Sequence, residues 1–401
     1  MRSRLSLSMI VRDEAAQLQE CLASVAGFVD EIVILDTGSR DATVSIAEGC
    51  GAQVHHMGWP GDFAPARNRA LELVQGDWVL VLDADERLRP EVREPLRALI
   101  EQPDLLVINL LRAEEGAVQS PYSSVSRLFR RHPAIRWSRP YHAMVDDSVL
   151  ALLEREPGWR VLQWNEPALS HSGYRPELLA GSGKSGRLRQ AMEAELRAHP
   201  GDPYASAKLG GLELAEGRRD RAIALLERGL AACPPQASAE RYELLLHLAM
   251  AHGEADPERA RSLYHQALSL PLDPRLTLAA RLNLAAVELR LGHLEEAARH
   301  CRQATAAAPE VALSWYNTGL IHRQRGDLPA AISAYRQALE LAPHHAEAHQ
   351  NLAVALLLSG EIDAARQGFR QAINLLEAQQ RPEAAAQLRQ KAGAMVHLES
   401  R

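Results

Sequence analysis

The chain has 401 residues, of which 46% are hydrophobic and 24% charged, the balance of a globular protein with two or three domains and a substantial core. A net charge of −6 without a long basic run excludes general attraction to nucleic acid. Cys21, Cys50, Cys233 and Cys301 lack CxxC spacing, which excludes a zinc site or disulfide framework and fits buried thiols in a reducing compartment.

The opening MRSRLSLSMIVRDE starts basic, but its apolar stretch is short and runs into charge, without the h-region and cleavage site of a signal peptide. No apolar run is long enough to span a bilayer. The expected location is the cytoplasm, with peripheral association at the inner membrane left open.

Residues 5–11 read as a first strand, and 14–26 as a helix with Leu18, Cys21, Leu22 and Val25 on one face. Strand 31–35 follows, then a helix from an Asp41 N-cap to about Gly49, strand 52–56, helix 64–74 and strand 78–82. Strict alternation predicts βαβ units and a largely parallel sheet, with ligands bound beyond the carboxyl ends of its strands. Val11, Arg12 and Glu14 end the first strand and suit either the floor of a base pocket or a helix cap. Asp36, at the tip of the second, can accept hydrogen bonds from a base edge or ribose hydroxyls. Arg67, in the helix opened by FAPARNRA, can pair with a phosphate or lock Asp85 in place.

The stretch DWVLVLDADE at 77–86 organises this half: a buried strand ending in three carboxylates within four residues. Side chains alternate along an extended segment, so Asp83 and Asp85 point the same way. Two carboxylates on one side of a strand end call for a cation. A divalent metal carrying a diphosphate would supply it, because Mg²⁺ and Mn²⁺ prefer oxygen ligands and share them with phosphates. The alternative is a solvated acidic turn capping the next helix.

After about residue 200 the chain turns helical and repetitive. Gly292, Gly326 and Gly360 recur every 34 residues, as do Ala297, Ala331 and Ala365, then Ala304, Ala338 and Ala372, with Pro309 and Pro343 in step. Small residues let helices cross closely, Gly ends the first helix of each pair and Pro the second. The run SWYNTGLIHRQRGDLPAAISAYRQALELAP resembles the tetratricopeptide consensus. About five repeats are expected over 203–379, with a polar capping helix over 380–401.

The series SMIVRDEA, VDEIVILDTGSRDAT, FAPARNRAL and GDWVLVLDADERL resembles the family 2 glycosyltransferases, more narrowly the bacterial group in which that domain precedes tetratricopeptide repeats. The resemblance implies an α/β, Rossmann-like nucleotide-sugar transferase domain of GT-A type over 1–180, a linker over 181–202, and an all-α repeat solenoid. It implies Mn²⁺ or Mg²⁺ and inverting transfer from a nucleotide-diphospho-sugar donor to an acceptor polypeptide or glycan. By the family's motif Asp36 contacts the base, Asp83 with Ala84 beside it the ribose, and Asp85 the metal.

Later segments match less closely. SRLFRR at 126–131 and YHAMV at 141–145 resemble family segments, but Arg139-Pro140 stand where relatives carry Gly, and Ala143 where they carry a Glu suited to be the general base. Asp146 and Asp147 are candidate substitutes, and His142 a contact to acceptor or phosphate. His171, in LSHSGY, is a candidate metal ligand or diphosphate contact, as imidazole suits Mn²⁺ tolerably. Lys184 and Arg187 either clamp the leaving diphosphate or lie in a solvated hinge. Their GKS is no P-loop, since the required upstream Gly is Leu178. Asp36-Thr37-Gly38-Ser39 copies the aspartic-protease signature, but only once and before a helix-like stretch. The rival outside catalysis is a tetratricopeptide scaffold with a degenerate transferase domain. The repeats suit a protein partner.

Overall fold

The computed structural model describes residues 2–117, 120–139, 143–173 and 184–396. They fall into two compact units, Met1–Glu195 and Leu196–Arg401. The first contains β1 (Leu5–Val11), α1 (Leu18–Val25), β2 (Glu31–Asp36), α2 (Thr43–Gly49), β3 (Gln53–His56), α3 (Phe63–Leu73), β4 (Trp78–Val81) and β5 (Glu86–Leu88). It continues with α4 (Arg93–Leu99), β6 (Leu105–Glu114), β7 (Tyr122–Arg130), α5 (Asp146–Arg155), β8 (Arg160–His171) and the start of α6 (Lys184–Ala198).

Among the described residues these strands form one sheet in the order β3-β2-β1-β4-β7-β6-β8-β5. The first four run parallel, as the alternation predicts. Beyond β4 the sheet is mixed: β7 is antiparallel to β4 and β6, β8 is parallel to β6, and β5 is antiparallel to β8. All four residues of β4 are buried, as a central strand covered on both faces requires. Leu18, Leu22 and Val25 of α1 and Leu96 of α4 pack on one face with Leu5, Leu7 and Leu80. Leu71 of α3 and Val149 and Leu152 of α5 pack on the other with Val79, Val81 and Phe129. The chain leaves β1 for β2 on one side and later enters β4 on the other. This reversal opens a crevice at the carboxyl ends of β1 and β4, where open α/β sheets bind ligands.

Most boundaries move by a single residue from the sequence reading, and two helix starts show why. Helix α1 starts at Leu18, because residues 14–17 form a turn in which Gln17 N and Leu18 N both donate to Glu14 O. At α2, Asp41 stands one residue before the cap position, yet its Oδ1 still accepts from Thr43 N at 3.0 Å.

The second unit is built from antiparallel helix pairs: Pro203–Ala215 with Arg219–Ala232, Ser238–His252 with Pro257–Leu268, Leu278–Leu291 with Leu294–Ala307, Ala312–Gln324 with Leu328–Leu341, and Ala346–Leu358 with Ile362–Ala378. Helix Pro382–Met395 follows. Gly217, Gly292, Gly326 and Gly360 each turn the chain between paired helices at φ of 76 to 85°, a left-handed conformation that glycine takes without Cβ strain. Where helices cross, Ala222, Ala297, Ala331 and Ala365 are fully buried. A Cβ on Gly319 would stand 2.5 Å from the Tyr335 ring, so in this pair the first helix's backbone comes directly against the ring of the second.

Candidate active site

Asp83 follows β4 into the crevice. Two guanidiniums grip it: Arg67 Nη2 on Oδ1 and Arg127 Nη2 on Oδ2, each at 2.7 Å. Arg67 comes from α3, which Asp62 caps through Ala64 N and which tolerates Pro65 in its first turn. Arg127 comes from an irregularity in β7. Ile108 pairs Leu128 while Leu110 pairs Val125, so Ser126 and Arg127 together oppose Asn109, a bulge that re-aims side chains. Both guanidiniums lie near the Trp137 ring, at 4.8 and 5.9 Å. Burial opposes ionisation of Asp83, but the two arginines outweigh it and hold the carboxyl far below its usual range. The reading that Arg67 locks Asp85 is therefore corrected: Arg67 holds Asp83, the carboxylate that its helix faces. Among the described residues Arg67 Nε and Nη1 and Arg127 Nη1 are buried without a hydrogen-bond partner.

A second layer backs this pair. Glu86 is fully buried, accepts from Asp83 N at 2.9 Å, and takes Arg112 Nη1 at 2.6 Å. Arg112 Nε reaches Glu114 Oε1 at 2.9 Å. Glu114 Oε2 accepts from His171 Nδ1 at 2.5 Å, and His171 Nε2 faces Asp85 Oδ2 at 3.1 Å. Burial disfavours the imidazolium, but hydrogen bonds to Asp85 and Glu114 favour it and push the His171 pKa up to about 9. A Cβ on Gly173 would stand 2.4 Å from His171 Nε2 and 3.1 Å from Asp85 Oδ2, so bare backbone closes this corner.

The donor sets fit a small divalent ion. Cis ligands of an octahedral ion with bonds of about 2.1 Å lie about 3.0 Å apart, close to the 3.1 Å between Asp85 Oδ2 and His171 Nε2. Ion and imidazolium proton exclude each other there. Among the described residues no cluster of three or more metal-binding side chains forms.

On the other side of the crevice Asp36 is buried at the tip of β2. Burial opposes its ionisation. Hydrogen bonds from the Ser39 hydroxyl, Gly38 N, Ser39 N and His56 overcome this and lower its pKa. Val11 is buried and pairs Asp36, and Arg12 is about half exposed beside Asp13. The loops after β1 and β2 are stitched together. Asp13 N donates to Ser39 Oγ, Glu14 N to Thr43 Oγ1, and Arg40 N to Asp13 Oδ1. Asp13 holds φ of 55°, a left-handed conformation that costs a non-glycine residue about 1 kcal/mol.

The remaining sequence candidates are scattered. Asp146 starts α5 and accepts from Ser126 Oγ at 2.8 Å. Burial raises its pKa, only partly opposed by that hydrogen bond. Asp147 is exposed and paired with Arg139 at 3.1 Å. Ala84 is buried between the two aspartates and Arg187 is exposed on α6. His142 lies outside the described residues, as does the side chain of Lys184. Glu86, Arg112, Glu114 and Arg127 belong to the site but carried no role in the sequence reading. For Arg112 and Glu114 a signal existed: charges at alternate positions ending an apolar strand share one face. The bulge that turns Arg127 inward has no such signature.

Residues 6–162 match the family profile described as Glycosyl transferase family 2. Stretches 179–237, 247–312, 282–344 and 316–373 match Tetratricopeptide repeat. The chain belongs to the family 2 glycosyl transferases, in the form that carries tetratricopeptide repeats behind a GT-A-like domain. It is 47% identical over 308 residues to a TPR repeat-containing protein of Synechococcus elongatus, covering 77% of this chain and 76% of that one. It is 28% identical over 183 residues to an uncharacterized glycosyltransferase of Rickettsia bellii, covering 43% of this chain and 61% of the relative's length. Among solved structures MamA from Desulfovibrio magneticus RS-1 is similar at 23% identity and a TM-score of 0.37, over 43% of this chain and 97% of that one. No described helix is long and apolar enough to cross a membrane.

Proposed function

We propose that the chain is a metal-dependent inverting glycosyltransferase, moving a sugar from a nucleotide-diphosphate donor to a polypeptide or glycan that the repeats help to present. The observation that carries this reading is the pairing of Asp83 with two buried arginines beside Asp85 and His171, all at the carboxyl end of β4. Asp36 and the stitched loops after β1 and β2 hold the base. Asp83, fixed by Arg67 and Arg127, holds the ribose. Asp85 and His171 hold the ion, which when bound neutralises the leaving diphosphate. The acceptor's proton goes to Asp146, which burial makes more basic than an ordinary aspartate. Asp147 is committed to Arg139.

The test is a thermal-shift panel of nucleoside diphosphates with and without Mn²⁺, followed by hydrolysis of the matching nucleotide-sugar. Stabilisation by one base, dependent on Mn²⁺ and lost with hydrolysis in Asp85→Ala, is expected. A panel without any shift, together with no hydrolysis, overturns the proposal and leaves the scaffold reading.

A further inference from the structure

We propose that Glu114 is a positioning residue that fixes which nitrogen of His171 faces Asp85, and thereby sets a preference for Mn²⁺ over Mg²⁺. The inference rests on the proposed metal site and adds its selectivity.

Glu114 is almost wholly buried and cannot turn away. Its Oε1 is taken by Arg112 Nε at 2.9 Å and by the Ser123 hydroxyl, leaving Oε2 for His171 Nδ1 at 2.5 Å. A carboxylate only accepts, so Nδ1 keeps its hydrogen, and when an ion takes the place of the proton that Nε2 shares with Asp85, it is the Nε2 lone pair that meets the ion. Arg112 is itself anchored by Glu86, which binds the Asp83 backbone. The ring's orientation is thus tied to the nucleotide side of the site through buried contacts. Gly173 leaves room at Nε2 that a Cβ would fill. An imidazole nitrogen beside a carboxylate oxygen favours a first-row transition ion over Mg²⁺, which prefers all-oxygen, strongly hydrated surroundings.

The experiment measures metal binding directly. Bound Mn²⁺ is read by electron paramagnetic resonance, with Mg²⁺ as competitor, on the full chain with UDP, GDP, CDP, ADP or TDP. The reference is the Mn²⁺-to-Mg²⁺ affinity ratio of each free nucleotide. The wild-type chain is expected to raise that ratio about tenfold or more. Glu114→Gln is expected to weaken Mn²⁺ by about 10- to 100-fold with Mg²⁺ nearly unchanged. His171→Asn and Gly173→Ala are expected to lose the preference too, which keeps the test open should Glu114→Gln not fold. A wild-type ratio equal to that of free nucleotide overturns this inference alone, as does a folded Glu114→Gln that keeps the preference. Failure of either ion to bind with any nucleotide overturns the metal site and this inference together.

Discussion

Both units bury charged side chains, but they satisfy them over very different lengths of chain. In the helical unit Glu213 is fully buried and meets Arg218, and Glu288 is fully buried and meets His293. In both cases a partner lies five residues away, across the turn between paired helices, and Glu288 also takes Arg261 Nε at 3.0 Å from the preceding pair. In the sheet unit Asp83 meets Arg67 and Arg127 across 16 and 44 residues, and His171 meets Glu114 and Asp85 across 57 and 86. A repeat satisfies its buried charge within one helical hairpin or from the hairpin next to it. The crevice satisfies its own only after the whole sheet has formed, so its charges converge where a ligand can use them.

Substitutions can break this comparison, and the largest effect belongs to chemistry. Asp146→Asn removes the proposed base and should lower transfer by about 10²–10³-fold, with little change in nucleotide affinity, in steady-state kinetics. In the wild type the rate should fall as acid protonates Asp146, with a midpoint above the usual aspartate value of about 3.9 because burial raises its pKa. Asp146→Asn should lack that limb.

Next comes Asp83→Asn, which leaves two buried arginines facing a neutral group. A fully buried pair broken in this way costs roughly 3–5 kcal/mol; with Asp83 about a third exposed, about 2 kcal/mol is expected from urea unfolding. The folded pKa is depressed, so the unfolded chain takes up the proton first. The stabilisation is fully present above the ordinary carboxylate range and is lost as pH falls from that range toward the depressed folded value. The variant should therefore show a flatter acid limb of stability than the wild type.

Changes in the repeats sharpen the contrast from the other side. Gly319→Ala drives a Cβ into the Tyr335 ring and should cost 1–2 kcal/mol or so, seen as faster hydrogen exchange over 312–341 with donor binding intact. Gly292→Ala, at φ of 82° with open space around it, pays only the left-handed backbone and should cost about 1 kcal/mol. A large loss of donor binding in either variant would contradict the division drawn here.

The local features were legible in the amino-acid order. Glycines and alanines at a 34-residue interval announced helix pairs, because each pair closes on itself. The apolar run ending in Asp83 and Asp85 announced a central strand and its acidic tip, because burial on both faces leaves an uninterrupted hydrophobic run. The mixed half of the sheet was not legible, because antiparallel pairing of β7 with β4 depends on which distant edges meet. Nor was the choice of Asp83 over Asp85 as the partner of Arg67. That choice turns on α3 packing over β1 and β2 and on one extra residue in β7, distances no periodicity encodes. Chain order thus determined the elements and the chemistry they carry, and tertiary contact alone decided which charges face each other.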